Sequence, residues 1–247
     1  MWPPETLILV FAVFLLGGAV KGTIGLGFPI VVLACLAASL GLKEAMALLI
    51  VPGVVLNIWQ ALAGGAFVTI FRRIWTLLAA SVIGIWAGVQ ILATADTVLL
   101  TGILGTLLFA YAAISLARPQ IASPAEKERW LSPLMGAAGG FMFGLTGSYM
   151  VPGVLYIQAL GLSRDMFVQA LGITFSLIMV ALGLFMSNNG VLPKEILLLS
   201  AGGLVPTSMG MMLGQRLRHR LPEDTYRKVF FVVLCFAGLY MIARVVL

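Results

Sequence analysis

The stretch GGAVKGTIGLGFPI, residues 17–30, sets one lysine, Lys21, among five glycines and a proline in an otherwise apolar run. An ammonium group beside backbone N–H groups released at a helix break is a combination that suits a small anion. Thr23 adds a hydroxyl donor to the same stretch. A second grouping, FGLTGSYMVPG at 143–153, repeats the theme with Gly144, Gly147 and the hydroxyls of Thr146 and Ser148. Each of these residues has an alternative use. Lys21 can snorkel to a headgroup layer or pair with a carbonyl. A hydroxyl can bond to the backbone of its own helix. Catalysis has less to work with. His219 is the single histidine and sits in a basic loop, and Cys35 and Cys235 lie alone in apolar runs, as small core residues do. There is no H-E-x-x-H, no Ser–His pair, no cysteine cluster and no charged pair within an apolar run. The residues point to no enzyme, no metal and no cofactor, and to a small anionic substrate as the partner.

The elements that would carry these residues are helices in a bilayer. The chain has 247 residues, of which 61% are hydrophobic and 10% charged. A soluble domain carries about 25% charged residues, so this chain could not cover itself with a polar surface. Charges are absent from 22–42, 45–71, 74–95, 97–117, 130–163, 166–193 and 196–215. A helix of roughly 20 apolar residues crosses a bilayer. The expectation is an all-α polytopic membrane protein in contact with lipid. Its first segment, following MWPPETLILV, reads as a retained helix with Trp2 as an interfacial anchor and not as a signal peptide. The net charge of +6 comes from short basic loops and does not indicate nucleic-acid binding.

Ten segments follow from the charged joints: 6–20, 27–40, 43–64, 73–93, 97–117, 132–146, 149–161, 164–187, 194–216 and 225–246. The stretch 118–131, with two prolines and five charges, divides the chain into a first repeat, 1–117, and a second, 132–247. LGLKEAM at 40–46 matches LGLSRDM at 160–166. Gly22, Gly25 and Gly27 are answered by Gly140, Gly144 and Gly147, and Gly84 and Gly88 by Gly210 and Gly214 or by Pro206 and Gly210. Internal repeats of this kind mark transporters. Lys and Arg gather in cytoplasmic loops. The loop at 216–228, with Arg216, Arg218, Arg220, Arg227 and Lys228, is therefore read as inside, with Arg72, Arg73 and the linker. Its counterpart near Asp96, and the loop at 188–195, are read as outside. Every joint then fits two inverted five-segment repeats with both termini outside.

Residues 130–163 run 34 positions without a charge. As one helix they would extend about 50 Å against a core of about 30 Å. The stretch must fold back, and 6–42 behaves likewise. Each repeat is expected to open with a broken hairpin of short helices whose tip lies deep in the protein, because irregular backbone is tolerated at that depth only when buried or facing a wet cavity. Pro29 fits the first turn of the helix after the first break. The two tips are expected to approach each other near mid-membrane and to form the site from Lys21, Gly22, Thr23, Gly25, Gly27, Phe28, Gly144, Thr146, Gly147 and Ser148. Asn57 joins them, because Pro52 and Gly53 kink its helix and could aim it inward. Asn57, Gln60, Gln169, Thr174 and Ser176 can equally serve in hydrogen bonds between helices. The G-x-x-x-G spacings at 84–88, 136–140 and 210–214 suit close helix packing. Glu44 and Asp165 open helices, where a carboxylate meets the positive helix end; proton coupling through them is the other use.

GTIGLGFPIVVLACLAASLGLKEAMAL at 22–48 and its weaker echo GGFMFGLTGSYMVPGVLYIQALGLSRDMFVQALG at 139–172 resemble the TauE/SafE family of sulfite-exporter-like membrane proteins. The resemblance covers nearly the whole chain. It implies export of sulfite or a small organosulfur anion across a bacterial cytoplasmic (inner) membrane. Its glycine-rich tips fall at Gly22, Gly25 and Gly27 and at Gly144 and Gly147; Phe28 and Pro29 stand where many members extend the glycine run. The function expected is a secondary transporter working by alternating access, with Phe28 as a gate. An anion channel with the same site, or a transporter of another small sulfur compound, remain as alternatives. A homodimer is left open.

Overall fold

The computed structural model of the chain describes residues 2–25, 27–117, 123–218 and 223–246. Part of the linker, 118–122, and His219 and Arg220 of the basic loop lie outside the described residues, as do the side chains of Lys194, Arg218 and Arg227. The described residues are helical and include no strand. The helices are α1 Pro4–Ile24, α2 Phe28–Leu40, α3 Leu42–Leu62, α4 Phe67–Thr94, α5 Thr97–Ala117, α6 Glu128–Thr146, α7 Leu155–Ala159, α8 Arg164–Asn188, α9 Lys194–Gly202, α10 Leu204–Arg218 and α11 Glu223–Val246. A short 3-10 turn, Ala125–Lys127, leads into α6, and a wide turn, Met150–Val154, leads into α7. Among the described residues, seven stretches are long and apolar enough to cross a membrane; α9 and α10 supply one of them jointly, Glu195–Leu217.

The opening hairpins differ from the expected pairs of short helices. α1 continues to Ile24 and has 21 residues, and α6 begins at Glu128 and has 19. The first arm of each hairpin is thus the longer one, α1 counting among the seven spans and α6 not, and the second arm is short. The physical reason is that most of the clustered glycines do not break their helix. Gly18 and Gly22 of α1, and Gly136, Gly140 and Gly144 of α6, lie against the backbone of another helix. A break comes only where a glycine turns left-handed: Gly25 and Gly27 after α1, at φ 87° and 107°, and Gly147 after α6, at φ 76°. Pro29 then occupies the first turn of α2, as expected.

The chain forms two compact units. The first comprises Met1–Pro52, Thr97–Ala117 and Pro193–Leu247; the second comprises Gly53–Asp96 and Arg118–Leu192. Each unit draws on both halves of the sequence. In the first, α1 packs along α10, and α5 along α11. A Cβ on Gly18 would overlap the carbonyl oxygen of Thr207, and one on Gly214 that of Ala19. In the second, α6 packs along α4, with Gly84 against the Ala137 carbonyl and Gly140 against that of Ser81. Small residues at such crossings let backbones touch, which is how helices adhere where lipid tails are as apolar as leucine. The glycine pairs at 84–88, 136–140 and 210–214 all serve in this way.

α3 passes from one unit to the other at Pro52–Gly53. Pro52 has no N–H, so the Leu48 carbonyl one turn back loses its helical partner. The hydroxyl of Ser200, fully buried on α9, donates to that oxygen at 2.7 Å and accepts from the Val51 N–H at 3.2 Å. Past the kink, the α3 end is held by Gln169 of α8. Its amide group donates to the carbonyls of Ala61 and Gly64 at 2.8 and 2.7 Å, while its oxygen accepts from the Ala66 N–H at 3.0 Å. Gln60 donates to the Val168 carbonyl at 2.7 Å. At the end of the second unit where α4 and α6 begin, Arg73 makes two hydrogen bonds to the Glu128 carboxylate, at 2.8 and 2.9 Å, and a third to the Leu160 carbonyl.

Candidate functional site

The expected site residues divide between the units. Lys21, Gly22, Thr23, Gly25, Gly27 and Phe28 belong to the first; Asn57, Gly144, Thr146, Gly147 and Ser148 belong to the second.

In the first unit, Lys21 lies in the last turn of α1, and its carbonyl receives the N–H of left-handed Gly25 at 2.8 Å. Its side chain is only 5% exposed, so the lysine is held within the protein. Gly22 faces the Met211 carbonyl of α10. The Thr23 hydroxyl bonds back to its own helix, at the carbonyls of Val20 and Ala19. Gly27 caps α2, and a Cβ there would press on Val20. Phe28 is buried edge-on against Phe14, with ring centroids 5.7 Å apart.

In the second unit, Asn57 is buried and donates to the Gly53 carbonyl at 2.6 Å, just after the α3 kink. Gly144 lies against Ile85. The Thr146 hydroxyl spends its one hydrogen on the Met142 carbonyl at 2.7 Å and accepts from the Ser148 N–H at 3.3 Å. Thr146 therefore shapes the turn. Ser148 follows Gly147 with its side chain turned inward: it is 3% exposed and its hydroxyl has no hydrogen-bond partner. The turn is anchored by the next residue. The Tyr149 hydroxyl bonds Ser81 at 2.8 Å, and its ring meets Phe143 and Phe175 edge-on at 6.1 and 6.0 Å. Thr174, beside Phe175 on α8, was expected to serve in hydrogen bonds between helices, yet its hydroxyl is also fully buried and unpartnered. Among the described residues, Ser148 and Thr174 carry the buried side-chain oxygens left in this state. Threonine in an apolar helix is common, so only the direction of its hydroxyl separates Thr174 from its neighbours, and spacing does not encode that.

Among the described residues no group of His, Cys, Asp or Glu could hold a metal ion. The described residues include seven helical stretches of membrane-crossing length and composition, as in a multi-pass membrane protein. Compared with known families, residues 10–241 match the sulfite exporter TauE/SafE model. The chain belongs to the TauE/SafE family, whose members move sulfite and related sulfur compounds across membranes. No curated protein and no solved structure matches it.

Proposed function

We propose that the chain is a secondary transporter that exports a small sulfur oxyanion, sulfite or an organosulfonate, from a bacterial cell by alternating access. The observation that carries this reading is the unpartnered Ser148 hydroxyl, buried beside a glycine break in a chain of a sulfite-exporter family. A buried donor without a partner costs about 1–3 kcal/mol, and an anion oxygen would relieve that cost. Gly144, Gly147 and Thr146 set the Ser148 turn. Within the first unit, Lys21, Gly22, Thr23, Gly25, Gly27 and Phe28 are candidate contacts, and within the second Asn57 is a further one.

The inverted repeat is part of the same proposal. The two halves supply equivalent partners to the two glycine crossings, α1 with α10 and α6 with α4. Arg73 and Glu128, from two joints that the charge pattern assigns to the cytoplasm, meet at one end of the second unit. Arg244, near the C-terminus that the charge pattern assigns to the outside, donates to the Ala38 carbonyl near the α2 end. Membrane potential alone can drive the export, at about 2.3 kcal/mol per charge per 100 mV, so no proton relay is required. Glu44 and Asp165 sit in the first turns of α3 and α8, where helix ends favour carboxylates.

The test is sulfite efflux from proteoliposomes. Wild-type protein is expected to exceed protein-free vesicles clearly, and Ser148→Ala to raise KM about ten-fold, the worth of one hydrogen bond to a charged group. Wild-type flux equal to that of protein-free vesicles ends the reading. Single-channel currents in a planar bilayer would replace the carrier with a channel.

A further inference from the structure

Several hydroxyls on the helices of this chain are satisfied within their own helix, while Ser132 and Ser200 bond to other elements. Ser81, Thr146, Ser176 and Thr207 each donate to the carbonyl four residues back, at 2.6–2.7 Å. Ser176 does so two residues along α8 from Thr174, against Gly172. Thr174 has the equivalent Ala170 carbonyl within its own helix and does not use it, although it is completely buried. An idle donor is costly at such a site, and a cheap local solution was at hand. Ser148 shows the same departure on the turn after α6. Both residues belong to the second unit, and each adjoins a member of one aromatic cluster: Tyr149 follows Ser148 and Phe175 follows Thr174, with ring centroids 6.0 Å apart. Phe143 closes the cluster at 6.4 Å from Phe175. Rings so interlocked fix the two stretches of backbone against each other.

We infer that Thr174 is a substrate-contacting residue, its hydroxyl acting with that of Ser148 to donate to oxygen atoms of the transported anion. The inference rests on the transport reading above and adds a second hydroxyl contact to it. Each hydroxyl has a single hydrogen to give. Two such donors can each meet a separate oxygen of a group carrying several oxygens on one sulfur, as in sulfite or R–SO3−. Neutral donors at this position also let the anion leave, since neither hydroxyl forms an ion pair with it.

The experiment compares wild type, Thr174→Val and Thr174→Ser in proteoliposomes loaded with sulfite, together with thermal melts of the detergent-solubilised proteins. Valine keeps the shape and removes the hydroxyl; serine restores it. Thr174→Val is expected to raise the KM for sulfite about ten-fold or more, with a melting temperature equal to wild type or higher, because an unpartnered hydroxyl leaves the interior. Thr174→Ser is expected to keep the wild-type KM. An unchanged KM in Thr174→Val, with wild-type transport intact, overturns the inference and leaves the transport reading in place. A melting temperature well below wild type in Thr174→Val also overturns it, because the hydroxyl then has a structural partner. Wild-type flux no greater than that of protein-free vesicles removes both.

Discussion

Polar side chains inside this bundle sort by where their hydrogens go. Gln169 spends both amide hydrogens and its oxygen on the end of α3. Gln169→Leu strands two carbonyls and one N–H, each worth about 1 kcal/mol, and is expected to lower the melting temperature in detergent by several degrees. Thr146 and Ser148 should part in a different way. Thr146→Ala removes a hydroxyl already bonded to Met142 and to the Ser148 N–H, so it is expected to lower both stability and transport. Ser148→Ala is expected to lower transport alone, as melts run beside flux assays would show. The sequence named the glycine breaks and Ser148 because glycine, hydroxyl and apolar surroundings are visible in residue types. Thr174 was visible as a polar residue of α8, but not that its buried hydroxyl stays without a partner, because residue type and spacing do not encode that.

Helix boundaries were legible wherever a charge or a left-handed glycine ended the run, and misjudged where glycine clusters were taken for breaks. α1 and α6 continue through those glycines because a neighbouring backbone fills the space. The kink of α3 was legible from Pro52; its remedy was not, since Ser200 lies 148 positions beyond Pro52 in the numbering. The pairing makes a sharp prediction. In the wild-type chain Ser200→Ala leaves the Leu48 carbonyl without its donor and should cost about 1 kcal/mol or more. In a Pro52→Ala background the restored N–H takes that carbonyl, and the same Ser200→Ala change should cost much less. A double-mutant cycle read from denaturation midpoints measures the coupling, expected within roughly 0.5–3 kcal/mol. Additive losses would show that the serine serves something other than the kink.

Across the whole chain, the compact units do not follow the boundary at 118–131: each takes helices from both sides of it. The halves read from the sequence are units of pattern, and the packed units are exchanges between them. Residues 1–117 and 132–247 made separately are expected to be degraded or to aggregate, because α1 would lack α10 and α6 would lack α4. Made together in one cell, they are expected to associate and recover sulfite efflux, as copurification and transport would show. The distance between partners also sets a clock on biogenesis. After Ile24 is made, 179 residues must still be added before the first residue of α10 exists. At 5–20 residues per second this takes on the order of ten seconds or more. Through that interval the newborn first helix stands in the bilayer with its glycine face open to lipid, and to any other nascent helix that arrives first.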